Sequence, residues 1–190
     1  DSIGMLTLPG TVKSISDAAF DCPNLTQITI NGTKYYKTDE IGVLYNASGT
    51  RLVYVPQGLR LSEYTISDGT KQIAPRAFLN QTTLRKVFIP DSVTKIAQDA
   101  FESVPHLTIY GGTGTCAAKT FATKYNYSYN LYHVSFYYDN ELIYDILNPA
   151  GSVIEDYYRP SDDFSVFGGW FKDSALTQEW NFDTDRKSVV

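Results

Sequence analysis

Between residues 70 and 110 the chain states one pattern twice. Ile73, Ala77, Phe78 and Leu84 return as Ile96, Ala100, Phe101 and Leu107, each 23 residues later. An earlier stretch, "LPGTVKSISDAAFDCPNLTQITI" from Leu8, carries the same order. Each copy runs from an apolar residue through a Pro/Asp/Gly turn to an Ile, an Ala-Phe pair, a polar spacer and a Leu-led strand. The first copy is one residue shorter between Phe20 and Leu25, a change that a surface loop absorbs. Such a period means that each copy is one short supersecondary unit. A single unit cannot bury its own Ile, Phe and Leu, so neighbours stacked above and below must cover them. The pattern therefore predicts a solenoid with a shared apolar column. Its members are Ile15, Phe20, Leu25, Ile28 and Ile30 in the first copy, then Ile73, Phe78, Leu84, Val87 and Ile89, then Ile96, Phe101 and Leu107. The strand pattern fades after Leu107, and the stack is expected to end there.

Side chains alternate faces along a strand. In "LRKVFI" this turns Leu84, Val87 and Ile89 inward and Lys86 and Phe88 outward; the equivalent outward pair in the first copy is Gln27 and Thr29. Phe88 with Arg85 and Lys86 beside it is the kind of set a recognition hot spot uses. The alternative is that the segment between the first two copies covers it. That segment, residues 31–59, contains "GVLYNASGTRLVYVP", two short strands around an Asn/Ser/Gly turn, which reads as a hairpin. Tyr35, Tyr36, Tyr45 and Tyr54 gather around it, either as an exposed recognition surface or as packing that ties the hairpin to the solenoid. After the third copy, Ala117, Phe121 and Tyr125 are spaced four apart behind a Gly/Thr-rich entry. This predicts a short amphipathic helix from near Thr115, followed by a strand. A segment of that kind over residues 111–131 would hide the last apolar layer of the stack.

The segments "SISDAAFDCPNLTQITI", "QIAPRAFLNQTTLRKVFIP" and "KIAQDAFESVPHL", with their Ala-Phe pair and Pro-containing turn, resemble the BspA-like leucine-rich repeat family over about residues 5–131. From His133 the period vanishes. Val134, Phe136 and Tyr138 alternate, and turn signals follow at Asn148-Pro149 and Arg159-Pro160. Phe136, Pro160, the run Phe167-Gly168-Gly169-Trp170-Phe171, Ala175-Leu176, Trp180, Phe182 and Asp183 resemble the Listeria–Bacteroides repeat, or internalin B-repeat, a small β-grasp-like module. The chain has "DNEL" where that family carries a glycine pair, and the family's last aromatic-rich strand would fall after Val189-Val190. The expected architecture is mostly β with short helices. Residues 1–131 would form a leucine-rich-repeat solenoid with an inserted hairpin (31–59) and a helical C-terminal cap (111–131), and residues 132–190 a β-grasp-like domain. Both resemblances imply a non-enzymatic, extracellular protein of the bacterial cell surface. Its expected partners are host, matrix or other surface proteins, with a carbohydrate-binding accessory role or a structural stalk as alternatives.

Composition excludes several other classes. A net charge of −5 and a pI near 4.9 argue against nucleic acid, whose backbone needs clustered Lys and Arg. No apolar run reaches the roughly 18 residues that a membrane span needs. Asp1 follows no signal peptide, so the expectation is a processed protein or a fragment. "LPGT" at residues 8–11 lacks the flanking Gly and apolar tail of a sortase signal and reads as a repeat turn. Cys22 and Cys116 lie in different copies and are expected to be buried thiols, not a disulfide framework. Neither His106 nor His133 has a nucleophile or acid at triad spacing. "YGGTGT" at 110–115 lacks the lysine of a phosphate loop. Asp162-Asp163 and Asp183-Thr184-Asp185 lack a calcium-loop frame and read as solvated turns, and Glu155-Asp156 as a polar strand edge. No cofactor or metal is therefore expected. Asn24, Asn31, Asn46, Asn80 and Asn126 stand in Asn-x-Ser/Thr sequons. They are glycan acceptors in a eukaryotic secreted chain, but the turn preference of Asn, Ser and Thr explains them without a glycan.

Overall fold

The computed structural model describes residues 3–147 apart from residues 18, 33, 113, 132, 139 and 140. In chain order its first strands are β1 (Met5–Pro9), β2 (Gln27–Asn31), β3 (Tyr36–Thr38), β4 (Leu44–Asn46) and β5 (Arg51–Tyr54). A 3-10 turn at Gln57–Leu59 leads to β6 (Glu63–Thr65), β7 (Gln72–Ile73), β8 (Lys86–Phe88), β9 (Lys95–Ile96) and β10 (Thr108–Gly111). Helix α1 (Ala117–Tyr125) then precedes β11 (Ser128–Leu131), β12 (His133–Tyr138) and β13 (Glu141–Leu147).

Residues one period apart become neighbours in hydrogen-bonded ladders. Ile73 pairs with Ile96, and Val87 pairs with Tyr64 on one side and Ile109 on the other, all in parallel. Each coil thereby gives one short strand to each of two sheets. One sheet is parallel, in the order β6-β8-β10-β11; the other runs β3-β4-β5-β7-β9, antiparallel from β3 to β5 and parallel from β5 onward. β1 and β2 form a separate parallel pair, and β12 and β13 an antiparallel one. Turn hydroxyls reinforce the coil-to-coil bonds: Thr26 Oγ1 donates to Gly4 O at 2.8 Å and Thr83 Oγ1 to Leu61 O at 2.9 Å. The solenoid predicted from the period is present.

Three expectations need correction. First, the stack does not stop after Leu107, because Thr108–Gly111 pairs with both β8 and β11. The third copy merely has one residue fewer between its Leu and its next inward residue, Ile109. Second, the apolar column is not continuous. Phe78 and Phe101 share a large core with Leu84, Val87, Ile89 and Leu107, whereas Phe20, Leu25 and Ile28 belong to a smaller one. The strand β4 separates them physically, since successive side chains face opposite ways: Leu44 enters the small core and Tyr45 the large one. Third, Ile15, Ile30 and Ile96 are only half-buried, because among the described residues the first coil and β9 each lack a covering strand on one side. Cys22 and Cys116 are likewise half-buried free thiols and not fully enclosed.

Within residues 31–59, antiparallel pairing of β4 with β5 forms a hairpin, and β3 adds a third strand that the pattern did not announce. Helix α1 starts two residues beyond Thr115, with Cys116 as its N-cap and Asn126 in the left-handed region (φ 58°) closing its end. Its buried Phe121 meets Phe101 edge-on at 5.8 Å, so the helix packs against the large core. The expected motifs at 148–190, including Phe167–Phe171, Trp180 and the acidic pairs, lie outside the described residues.

Candidate binding surface

On the parallel sheet, alternation sends one row of residues into the core and two rows outward. The inward rung is Tyr64, Val87, Ile109 and Tyr129. The outward rungs are Glu63, Lys86, Thr108 and Ser128, and beside them Thr65, Phe88, Tyr110 and Asn130. Like positions in successive coils therefore stack into columns, and a side chain's main neighbour is its counterpart one coil away. Lys86 Nζ stands 3.6 Å from a Glu63 carboxylate oxygen. Phe88 packs on Tyr110 with ring centroids 4.7 Å apart.

This arrangement corrects the reading of Phe88 as an exposed anchor. It does occupy an outward position, but only 3% of it is accessible. Tyr110, half-buried, is the aromatic that the face presents. Arg85 is exposed yet occupied locally, its guanidinium donating to the carbonyls of Thr82, Leu84 and Pro105. Gln27 is exposed, and Thr29 is half-buried with its hydroxyl 2.9 Å from that of Thr7 on the neighbouring strand. Arg85, Lys86 and Phe88 thus share one face, while Gln27 and Thr29 sit on the separate β1–β2 pair.

The tyrosines divide. Tyr35 and Tyr36 are half-buried, and Tyr45 and Tyr54 are core residues. Asp39 Oδ1 accepts the N–H groups of Ile41 and Val43 and so shapes the turn into β4. Its other oxygen accepts the Tyr64 hydroxyl at 2.8 Å, which leaves Tyr45 to donate to Tyr64 at 2.7 Å. Burial pushes the Tyr64 phenol far up, with the nearby Tyr45 and Asp39 adding to the effect, and burial raises Tyr45 as well. The chain Tyr45–Tyr64–Asp39 therefore stays protonated at both phenols and ties the hairpin to the solenoid. Tyr54 stacks on Phe20 at 4.6 Å, and burial raises its phenol to about 12. These two tyrosines hold the fold and do not offer a free surface.

Pattern reading missed Glu63, Thr65 and Tyr110. "LRLSEYTI" at 59–66 does carry the Leu-x-x-apolar-x-Ile spacing, with Tyr64 standing where the other copies have Ile or Val. At three of the five sequons, local geometry favours the turn reading, while Asn31 ends strand β2. Asn46 bonds Thr50 and the Arg51 N–H within the hairpin turn, and Asn80 and Asn126 adopt positive φ. His106 lies exposed in a turn, also at positive φ (57°), and His133 begins β12. Among the described residues no helix is long and apolar enough to cross a membrane.

A family profile described as "BspA type Leucine rich repeat region (6 copies)" matches residues 2–59 and 54–145. No curated protein matches the chain. Among solved structures, a leucine-rich repeat protein from Eubacterium ventriosum is 27% identical with a TM-score of 0.53, covering 57% of this chain and 30% of its own. The Pneumococcal vaccine antigen PcpA is 26% identical with a TM-score of 0.53, covering 56% of this chain and 27% of its own. The chain thus spans less than a third of the length of either.

Proposed function

The chain belongs to the BspA type leucine rich repeat family, and from that premise we propose that it is a non-enzymatic module of a bacterial cell-surface protein that binds another protein. The observation that carries this reading is the outward face of the parallel sheet, where Glu63, Lys86, Thr108, Tyr110 and Asn130 stand in columns on a rigid ladder. A preorganised face of mixed charge with one partly exposed aromatic binds by many modest contacts while losing little conformational freedom. Adhesion to host or matrix proteins is the specific role proposed.

On this reading α1 caps the solenoid, residues 31–59 are an insertion in the repeat array, and residues 1–131 form one domain. Residues 132–190 form the second, a β-grasp-like module of the Listeria–Bacteroides type, which the antiparallel β12–β13 pair supports. A stalk role is the second reading, favoured by the burial of Phe88, which leaves this face short of an apolar anchor. The burial of Tyr45 and Tyr54 withdraws the aromatic platform that suggested carbohydrate.

The test is binding of the intact chain to immobilised matrix proteins, for wild type and for Tyr110→Ala with Lys86→Glu. Binding that the double variant loses at unchanged melting temperature supports the proposed face. Binding that it retains removes this face from the account, and no binding at all favours the stalk.

A further inference from the structure

The second strand of each coil hands its carbonyls to the coil that follows. Thr50 O accepts the N–H groups of Lys71 and Gln72, and Lys71 O accepts those of Thr94 and Lys95. In the same way Leu52 O accepts from Ala74, and Ile73 O from Ala97. The series then stops. Among the described residues β9 pairs only with β7, and nothing donates to Thr94 O or Ile96 O. Where the next coil would bring a strand, the chain forms α1 instead.

Between the open edge of β9 and α1 lies a groove of about 700 Å³, within the size range of ligand sites. Thr94, Lys95 and Ile96 line one wall and Thr120, Phe121 and Tyr125 the other. Ile96 is half-buried here, although Leu52 and Ile73, its counterparts on the same rung, are fully buried. Lys95 and Lys124 also line the groove, and neither forms an ion pair among the described residues. The acidic lining residue, Asp91, is engaged by the Gly112 N–H.

We propose that this groove binds an extended acidic peptide from a partner protein, which adds as a strand to the free edge of β9. Strand addition supplies the N–H donors that Thr94 O and Ile96 O lack. An apolar side chain of the peptide fills the space between Ile96, Phe121 and Tyr125, and its carboxylates meet Lys95 and Lys124. This site is separate from the outward sheet face and stands whether or not that face binds anything.

The test titrates a fluorescein-labelled peptide of alternating glutamate and valine into the full chain, followed by anisotropy, with a lysine-for-glutamate peptide as control. The glutamate peptide binds saturably and the lysine peptide does not. Lys95→Glu with Lys124→Glu, both exposed side chains, weakens binding about tenfold. Because Cys116 lines the groove, bound peptide slows its reaction with a thiol reagent and leaves Cys22 unaffected. Equal binding of both peptides, no saturable binding, indifference to the charge reversal, or an unprotected Cys116 would each overturn the proposal.

Discussion

The rings of Phe78 and Phe101 stack with their centroids 4.8 Å apart and their planes 24° from parallel. Both are essentially inaccessible to water, and Phe101 in turn meets Phe121 of α1. One coil's phenylalanine is therefore the floor of the next. Truncating either to alanine empties a layer that its neighbours cannot refill, and Phe78→Ala and Phe101→Ala should each cost about 3–5 kcal/mol. Urea unfolding measures this. Phe20→Ala should cost less than either, because Phe20 is less enclosed and packs in the smaller core.

The buried hydroxyls give a second contrast. Tyr64→Phe leaves Asp39 Oδ2 and the Tyr45 hydroxyl without their partner, and should cost about 1–3 kcal/mol. Tyr45→Phe keeps the Tyr64–Asp39 bond and should cost less. Tyr54→Phe should cost less than Tyr64→Phe, since among the described residues the buried Tyr54 hydroxyl has no partner in good hydrogen-bond geometry. The three variants are compared by thermal and urea unfolding.

The same phenols set an alkaline limit. Burial raises Tyr45 and Tyr64 above the ordinary value of 10.0, and Tyr54 to about 12. In the unfolded chain these groups lose their protons near pH 10, while the folded chain keeps them, so folding binds protons in that range. The stability they contribute is complete below about pH 10 and is lost as pH rises through the folded values. Urea midpoints across this window should fall, and the fall should be shallower in Tyr64→Phe.

Backbone geometry yields two substitutions of opposite sign. Asn80 and Ser103 occupy equivalent turns, both at positive φ (56° and 59°). Asparagine tolerates that region and serine does so at a cost, so Ser103→Gly should stabilise by up to about 1 kcal/mol and Asn80→Gly should change less. Gly58 behaves differently: a Cβ there would stand 2.8 Å from Leu25 O, the carbonyl that its own N–H contacts. Gly58→Ala should therefore destabilise by about 1–3 kcal/mol. Melting temperatures of the three variants check the signs.

The spacing of Ile73, Phe78 and Leu84 against Ile96, Phe101 and Leu107 was sufficient to read the stacking, because a fixed period leaves one way to bury those side chains. It was not sufficient to find where the core divides. Leu44 and Tyr45 are adjacent in the hairpin's first strand, and only the placement of β4 between the two cores reveals that they serve different ones. Alternation puts Phe88 on the outward rung but says nothing of its cover, to which Tyr110, one coil away in a copy with a shortened strand, contributes. Tyr45 could be read either as part of an exposed surface or as packing, because its buried partner Tyr64 is held by Asp39, which sits in a turn that no repeat marks. The groove beside β9 was invisible for a related reason: it exists where the repeat is replaced by a helix.

The most direct measurement is amide hydrogen exchange on the intact chain, read at the N–H groups that cross from coil to coil. Arg85 donates to Ser62 O at 2.7 Å, Thr108 to Arg85 O at 2.8 Å, Thr94 to Lys71 O at 2.9 Å and Ala97 to Ile73 O at 3.1 Å. Stacked coils predict that these four amides exchange slowly and together, far behind exposed turn amides such as Ser48 and Asp68. Exchange of the four as fast as those turns, or at unrelated rates, would contradict the stacking of the coils.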